Sequence, residues 1–155
     1  MSEFDHSDPK AVYSRLVDLL ARREHSQFEL KQKLLAKQFS PHVIDAQIAY
    51  LVEAGLQSDE RYTEVAVREW MRKGKGPLYI AAQLQQKRIP AQMMYQVFDE
   101  LQTDWFESAL AVRCKRFNDA DLKDLKQKQK CYRYLAQRGF DSEQVQYAIK
   151  SVTAD

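Results

Sequence analysis

The side chains of this chain that could do chemistry are mostly arginines and lysines, and they cluster along the sequence. Residues 61–88 include seven basic and two acidic side chains, and residues 113–138 include nine basic and three acidic ones. Clustered cations of this kind are typical of surfaces that bind phosphate groups or acidic protein segments. The other stretches are acidic, so the net charge of the whole chain is only +2.

Within the two basic stretches, several cations recur at helical spacing. Arg68 and Arg72 share a helix face because they are four residues apart, and Arg61 lies close to two turns before Arg68. Lys87 and Arg88 fall at a predicted helix end, where cations also stabilise the helix dipole. Helix capping and simple solvation are therefore the alternatives to binding. The predicted partner-binding residues are Arg61, Arg68, Arg72, Lys73, Lys75, Lys87, Arg88, Lys126, Lys130, Arg133 and Arg138.

No catalytic or metal-binding motif accompanies these cations. The sequence contains no H-E-x-x-H, G-x-S-x-G or C-x-x-C motif. The stretch from Lys73 to Pro77 has two lysines and two glycines, but it lacks the spacing of a phosphate-binding loop. Carboxylate pairs such as Asp59 with Glu60 fall where helix caps are expected. We therefore predict a protein without enzymatic activity, cofactor or metal ion.

Composition also bears on where the protein acts. Cys114 and Cys131 are too few for a disulfide framework, and we expect both to be reduced thiols in or beside a core. The first eight residues are acidic and polar, unlike a secretory signal. No apolar run is long enough to span a membrane. A cytoplasmic protein is the resulting prediction, and we also expect a monomer.

Apolar residues recur at helical spacing along most of the chain and predict nine helices. Helix starts are marked by the S-x-x-E pair Ser26 and Glu29 and by Pro41, Pro77 and Pro90. Glycines follow several of the predicted helix ends. With only four glycines and four prolines, the composition excludes a turn-rich β fold.

The nine predicted helices form three copies of one three-helix unit. Shifting the sequence by 50 and then by 51 residues aligns six apolar columns, whose spacing describes a helix face, a tight turn and a second helix face. The predicted fold is all-α, with three helix-turn-helix-like repeats in an elongated, curved array. A flexible acidic N-terminus is expected over 1–10, and the repeats over 11–56, 57–103 and 104–155. The columns are Leu30/Ile80/Cys131, Leu34/Leu84/Leu135, Phe39/Ile89/Phe140, Ile44/Met94/Val145, Ile48/Phe98/Ile149 and Leu51/Leu101/Val152.

A family pattern runs through the first two repeats, and its most specific part is the G-x-G-P element followed by I-x-x-x-L. Its residues are Asp59-Glu60-Arg61-Tyr62, Arg68, Lys73-Gly74-Lys75-Gly76-Pro77, Ile80, Leu84 and Lys87-Arg88-Ile89, with Arg23, Ser26, Glu29-Leu30, Lys33-Leu34 and Gly55-Leu56. With these residues the chain resembles the RecX family, whose members modulate the RecA recombinase, over about Val12 to Ile149. Arg88 departs from the pattern, which has glycine there, and Gln83 replaces a frequent glutamate.

The resemblance implies three tandem three-helix repeats, a cytoplasmic location and no enzymatic activity. It also implies binding in the groove of the RecA–DNA filament, with inhibition of ATP hydrolysis, coprotease activity and strand exchange, or capping and shortening of filaments. A direct DNA-binding protein of helix-turn-helix type is the alternative, with single- or double-stranded DNA as partner, and a generic helical adaptor is a third hypothesis. We expect the second and third repeats to make the main contacts and the acidic first repeat to contribute mainly shape.

Overall fold

The computed structural model describes residues 6–151, in which helices joined by short loops are the regular secondary structure. A 3-10 turn over Asp121–Lys123 precedes the eighth helix. None of the helices in this range is long and apolar enough to cross a membrane. The predicted all-α fold of three consecutive three-helix repeats is confirmed. The helices are α1 (Pro9–Arg22), α2 (Gln27–Ala36), α3 (Pro41–Glu53), α4 (Asp59–Arg72), α5 (Pro77–Gln86), α6 (Ala91–Glu100), α7 (Trp105–Arg116), α8 (Leu125–Gln137) and α9 (Ser142–Lys150).

Hydrogen bonds between side chains and backbone cap the N-termini of several helices. At the start of α2, the Ser26 hydroxyl accepts from the Glu29 N–H at 3.1 Å, and the Glu29 carboxylate accepts from the Ser26 N–H at 3.4 Å. Asp141 and Gln144 form the same reciprocal arrangement at the start of α9. Each pair satisfies backbone donors that the helix itself leaves without a partner.

The same turn ends the second helix of every repeat. Its left-handed residue has a φ of 66° at Gln38, 60° at Arg88 and 104° at Gly139. The residue after it donates its backbone N–H to the carbonyl five positions earlier, at 3.0 to 3.2 Å. This is the Schellman motif, in which a left-handed residue, usually glycine, closes a helix. The departure of Arg88 from the family pattern thus falls at a position whose backbone favours glycine.

Each repeat has its own hydrophobic core, and the predicted columns line it. All members of the first four columns are buried, and those of the first column have an exposed fraction of 0%. In the last two columns, Ile149 and Leu101 are partly buried, and Val152 lies outside the described residues. Among residues 6–151, the helices that pack most closely belong to the same repeat, with the first helix against the third. The repeat is therefore the packing unit.

The accessible surface is larger than that of a compact protein of the same mass, as expected for repeats in an elongated array. The surface is 10103 Å² for a chain of 18.2 kDa, compared with roughly 8,100 Å² for a compact monomer of that mass. An elongated array exposes more surface because each repeat contacts only its neighbours.

Backbone hydrogen bonds join the second repeat to the third. The Gly76 N–H donates to the Arg138 carbonyl at 2.8 Å, and the Leu78 N–H donates to the Gly139 carbonyl at 2.9 Å. A Cβ atom on Gly76 would lie 2.5 Å from the Gly139 backbone, and one on Gly139 would lie 2.5 Å from the Tyr79 Cβ. The two backbones can approach this closely only with glycine at positions 76 and 139. We call this contact between the second and third repeats the glycine seam.

Alanine at Gly76 is expected to destabilise the protein more than alanine at Gly55. Gly55 has a φ of +75° and open space where a Cβ atom would lie, so Gly55→Ala costs only backbone strain, about 1 kcal/mol. Gly76→Ala has no such strain but must separate two backbones. Denaturant unfolding of both variants measures the difference in the free energy of unfolding. An equal loss of unfolding free energy in the two variants would contradict the requirement for glycine at position 76.

Candidate functional site

Arg138 attaches the end of α8 to the loop that follows α4. Its guanidinium donates to the carbonyls of Lys73 and Gly74, the second at 3.4 Å from Nε. The same guanidinium lies 5.9 Å from the centroid of the Tyr134 ring. Gly74 has a φ of +80°, so the chain turns back towards α5 immediately after α4. Arg138 therefore holds this loop against the third repeat, beside the glycine seam.

A cleft of about 520 Å³ opens next to this attachment, between the second and third repeats. We call this cavity the basic cleft, because no carboxylate of the residues 6–151 lines it. Glu69 lies outside the lining and pairs with Arg72 at 2.6 Å and with Lys73 at 3.6 Å. The six cationic side chains of the basic cleft are Arg72, Lys73, Lys75, Lys115, Arg116 and Arg138.

The cations of the basic cleft are crowded. Burial lowers the pKa of the Lys75 ammonium, and the nearby charges of Arg138 and Lys73 lower it further. Aromatic rings provide part of the compensation, because the Lys75 Nζ lies 4.3 Å from the Tyr79 ring centroid and the Arg116 guanidinium lies 5.5 Å from that of Tyr134. An anionic ligand would relieve the remaining repulsion. The cleft is thus electrostatically suited to phosphates or carboxylates.

Four of the predicted partner-binding residues, Arg72, Lys73, Lys75 and Arg138, line this one cleft. Arg68 lies outside its lining and pairs with Glu64 at 3.2 Å along α4. Three further predicted partner-binding residues lie on the third repeat. They are exposed on α8 and make no ion pair with any residue of the range 6–151. They are Lys126, Lys130 and Arg133.

Arg61, Lys87 and Arg88 instead face the first repeat. The Arg61 Nε donates to a Glu24 carboxylate oxygen at 3.0 Å. Lys87 pairs with Glu29 at 3.6 Å, and the Arg88 guanidinium lies 5.2 Å from the Phe28 ring centroid. These cations therefore help to join the first two repeats, which the spacing along the sequence did not indicate.

Glu29 is the central anion of this first junction. Its carboxylate accepts two hydrogen bonds from Arg23, at 3.1 and 2.7 Å, and its side chain is 9% exposed. Burial raises the pKa of Glu29, but the hydrogen bonds and charge of Arg23, together with the charge of Lys87, lower it more. The net pKa is below the usual value, so the carboxylate is ionised at neutral pH.

His25 lies next to this carboxylate and is 1% exposed. Its Nδ1 is 3.0 Å from the Arg23 carbonyl, and its Nε2 is 3.1 Å from the Lys33 Nζ. Because the ammonium donates, Nε2 accepts, and Nδ1–H donates to the carbonyl. The backbone carbonyl of His25 also accepts from the Gln57 amide of the second repeat at 3.1 Å. His25 is thus a neutral, buried part of the junction.

Lys115 and Arg116 line the basic cleft and were not among the predicted residues. Their sequence signal was weak, because basic residues in the last turn of a helix commonly interact with the helix dipole. The neighbouring Arg113 illustrates the ambiguity. It is 1% exposed, and it donates to the Ala148 carbonyl at 2.9 Å and pairs with Asp119 at 2.7 Å. Three basic residues on one helix end therefore have different roles.

Other chemically reactive groups form no comparable site. Residues 6–151 contain no group of three His, Cys, Asp or Glu side chains that could hold a metal ion. Cys114 is exposed and Cys131 is buried. Burial raises the pKa of the Cys131 thiol to about 11, against the opposing charge of Arg113. Cys131 is therefore a protonated core residue at neutral pH.

Comparisons with known proteins match the three repeats one by one. Models of the first, second and third three-helix domains of RecX match residues 13–51, 58–96 and 102–149. The chain is 36% identical to the regulatory protein RecX of Vibrio vulnificus, over 86% of this chain and 87% of that one. It is 38% identical to the Vibrio cholerae protein of the same name, over 90% and 91%.

A solved structure has the same fold. The crystal structure of RecX from Lactobacillus salivarius superposes with a TM-score of 0.78, covering 92% of this chain and 94% of that one at 23% sequence identity. The order and arrangement of the three-helix units are therefore shared despite low identity.

The free energy of unfolding is expected to fall as the pH is lowered from about 7.5 to 5.5, because of His25. Burial is the largest cause that lowers the His25 pKa, and the charges of Arg23 and Lys33 lower it further. The hydrogen bond to the Arg23 carbonyl and the charge of Glu29 raise this pKa, but by less. The unfolded chain, with a histidine pKa of about 6.5, therefore binds the proton first. The stabilisation that His25 provides is fully present above the pKa of histidine in the unfolded chain. It is lost as the pH falls from that value through the lower pKa of the folded protein.

The measurement is denaturant unfolding at several pH values for the protein and for His25→Asn, which keeps a donor for the Arg23 carbonyl. The variant should show a shallower dependence on pH in this window. An unchanged dependence would assign the effect to other groups.

Proposed function

This chain belongs to the RecX family of regulatory proteins, and on that premise we propose that it is a non-enzymatic regulator of the RecA recombinase. In this proposal a monomer binds in the helical groove of the RecA–DNA filament in the cytoplasm. Binding there inhibits ATP hydrolysis, coprotease activity and strand exchange. No cofactor takes part.

The observation that supports the proposal most strongly is the match of all three domains, in order, along an elongated chain. An elongated array can contact several subunits of a filament at once. Weak contacts on separate repeats then reinforce each other, because each one raises the effective concentration of the next. A ligand that binds one state of the filament more tightly shifts the filament towards that state.

The charge distribution supports contacts by the second and third repeats. The basic cleft lies between these repeats, and the exposed cations of α8 lie on the third. Arg61, Lys87 and Arg88 are partly engaged with the first repeat, so we assign them a smaller part in partner binding. Our first choice for filament contacts is therefore Arg68, Arg72, Lys73, Lys75, Lys126, Lys130, Arg133 and Arg138.

Direct DNA binding by a protein of helix-turn-helix type is the second candidate function, and the basic cleft is the observation that favours it. The two functions differ in what they require. A DNA-binding protein should bind DNA in a salt-dependent manner without changing recombinase activity, whereas a filament regulator should change that activity.

The filament proposal predicts that the protein sediments with RecA filaments assembled on single-stranded DNA. It should also lower DNA-dependent ATP hydrolysis at less than one molecule per recombinase subunit, because one elongated molecule contacts several subunits. Filament pelleting and a steady-state ATPase assay measure these effects. Unchanged ATP hydrolysis and strand exchange in the presence of a large excess of the protein would refute the proposal.

The double variant Arg68→Gln, Arg72→Gln is expected to bind filaments less tightly and to retain the fold, since exposed ion pairs within one helix contribute little to stability. Arg15→Gln, Arg22→Gln is the matched control. It removes two exposed cations from α1 of the first repeat. Equal filament binding by the two variants would mean that Arg68 and Arg72 make no contact with the filament.

A further inference from the structure

A line of side chains leads out of the basic cleft along α8. Lys126, Lys130, Tyr134 and Arg138 follow one another at intervals of four residues, so they lie along one slowly rotating face of the helix. Tyr134 and Arg138 line the cleft, and Lys126 and Lys130 are exposed beyond it. The helix rises about 18 Å from residue 126 to residue 138.

This length matches an extended anion better than a small one. One strand of duplex DNA carries a phosphate about every 3.4 Å along its axis, so about 18 Å accommodates several phosphates. A free phosphate or a single carboxylate would occupy only part of the line. Cations placed one or two helical repeats of four residues apart suit a strand whose charges are regularly spaced.

We propose that the basic cleft and the line of Lys126, Lys130 and Tyr134 on α8 form one track for the sugar–phosphate backbone of a DNA strand. The contact residues within the cleft are Lys75, Lys115 and Arg116. None of these three side chains has an ion-pair partner in the range 6–151, so their charges are available to a ligand.

The glycine seam gives the track a fixed shape before any ligand binds. The cleft lies between two repeats, and its opposite sides are held by the backbone bonds of Gly76 and Leu78 and by Arg138 on the loop carbonyls. Binding therefore requires little ordering of the backbone, which lowers its entropic cost. The track binds backbone phosphates and is expected to be indifferent to base sequence.

The inference rests on the proposed function for the identity of the strand, which would be the DNA inside the recombinase filament. It adds the residues that contact this DNA, and three of them, Lys75, Lys126 and Lys130, are also among the filament contacts proposed above. An acidic segment of the recombinase is the competing occupant of the same cleft, and the experiment distinguishes the two.

The test compares Lys115→Gln, Arg116→Gln with Arg15→Gln, Arg22→Gln, which removes the same charge from the first repeat. Binding of a labelled oligothymidylate to the full-length protein, without recombinase, is measured by fluorescence anisotropy over a series of salt concentrations. We expect the cleft variant to bind roughly tenfold more weakly at low salt and its salt slope to be shallower by about 1.4, since each lost phosphate contact removes about 0.7. The control should match the unmodified protein.

Two outcomes would overturn the inference. They are no DNA binding by the unmodified protein at low salt, and equal DNA binding by the cleft variant and the control. In the second case, a cleft variant that no longer sediments with filaments would assign the cleft to an acidic protein segment. Circular dichroism of the cleft variant checks that its helices are intact.

Filament pelleting of the unmodified protein separates this inference from the proposed function. If the protein fails to sediment with filaments but the two variants differ in DNA binding as expected, the track stands and the proposed function falls. If filaments are bound and the variants bind DNA equally, the proposed function stands and the track is refuted.

Discussion

The close approach of two backbones at Gly76 and Gly139 is the constraint on which the surface of the second and third repeats depends. Direct N–H to carbonyl bonds leave no room for a Cβ atom at either glycine. Because these bonds join main chains, they specify distance and direction more tightly than contacts between flexible side chains. The position of the basic cleft follows from this arrangement, since its lining comes from both repeats.

The junction between the first and second repeats has a different chemistry. It uses ion pairs such as Arg61 with Glu24 and Lys87 with Glu29, and a hydrogen bond from Gln57 to the His25 carbonyl. Among residues 6–151, the hydrophobic core of the first repeat is made by residues of that repeat, whereas Trp105 packs against the cores of both the second and third repeats. Salt therefore screens the ion pairs of the first junction, and pH acts on this junction through the buried His25.

Much of the fold could be predicted from the sequence because its determinants are local. The capping pair Ser26 and Glu29 and the glycines at helix ends depend on residues a few positions apart. The structure confirms the capping box, a left-handed φ at Gly55 and Gly139, and burial of the first four apolar columns. The recognition of the RecX family from the middle repeat is also confirmed. These features need no knowledge of how the repeats are placed relative to one another.

The candidate site was less predictable because it lies between repeats. Arg61 and Lys87 have partners 37 and 58 residues earlier, Glu24 and Glu29, and helical periodicity contains no information about such pairs. Lys115 and Arg116 join the cleft only because the seam places α7 beside the loop after α4. The sequence therefore shows where basic residues are concentrated but does not distinguish cations that join repeats from cations that line a cleft.

The confinement of close helix packing to single repeats has a consequence for how the chain acquires its structure. Contacts near in sequence form quickly, and during synthesis the N-terminal part of a chain folds first. The first three helices can therefore pack while later ones are still being translated. The glycine seam forms later, because the Gly76 N–H donates to the carbonyl of Arg138, which is 62 residues further along the chain and is translated later. Because its lining comes from both repeats, the cleft is complete only when the third repeat has docked onto the second.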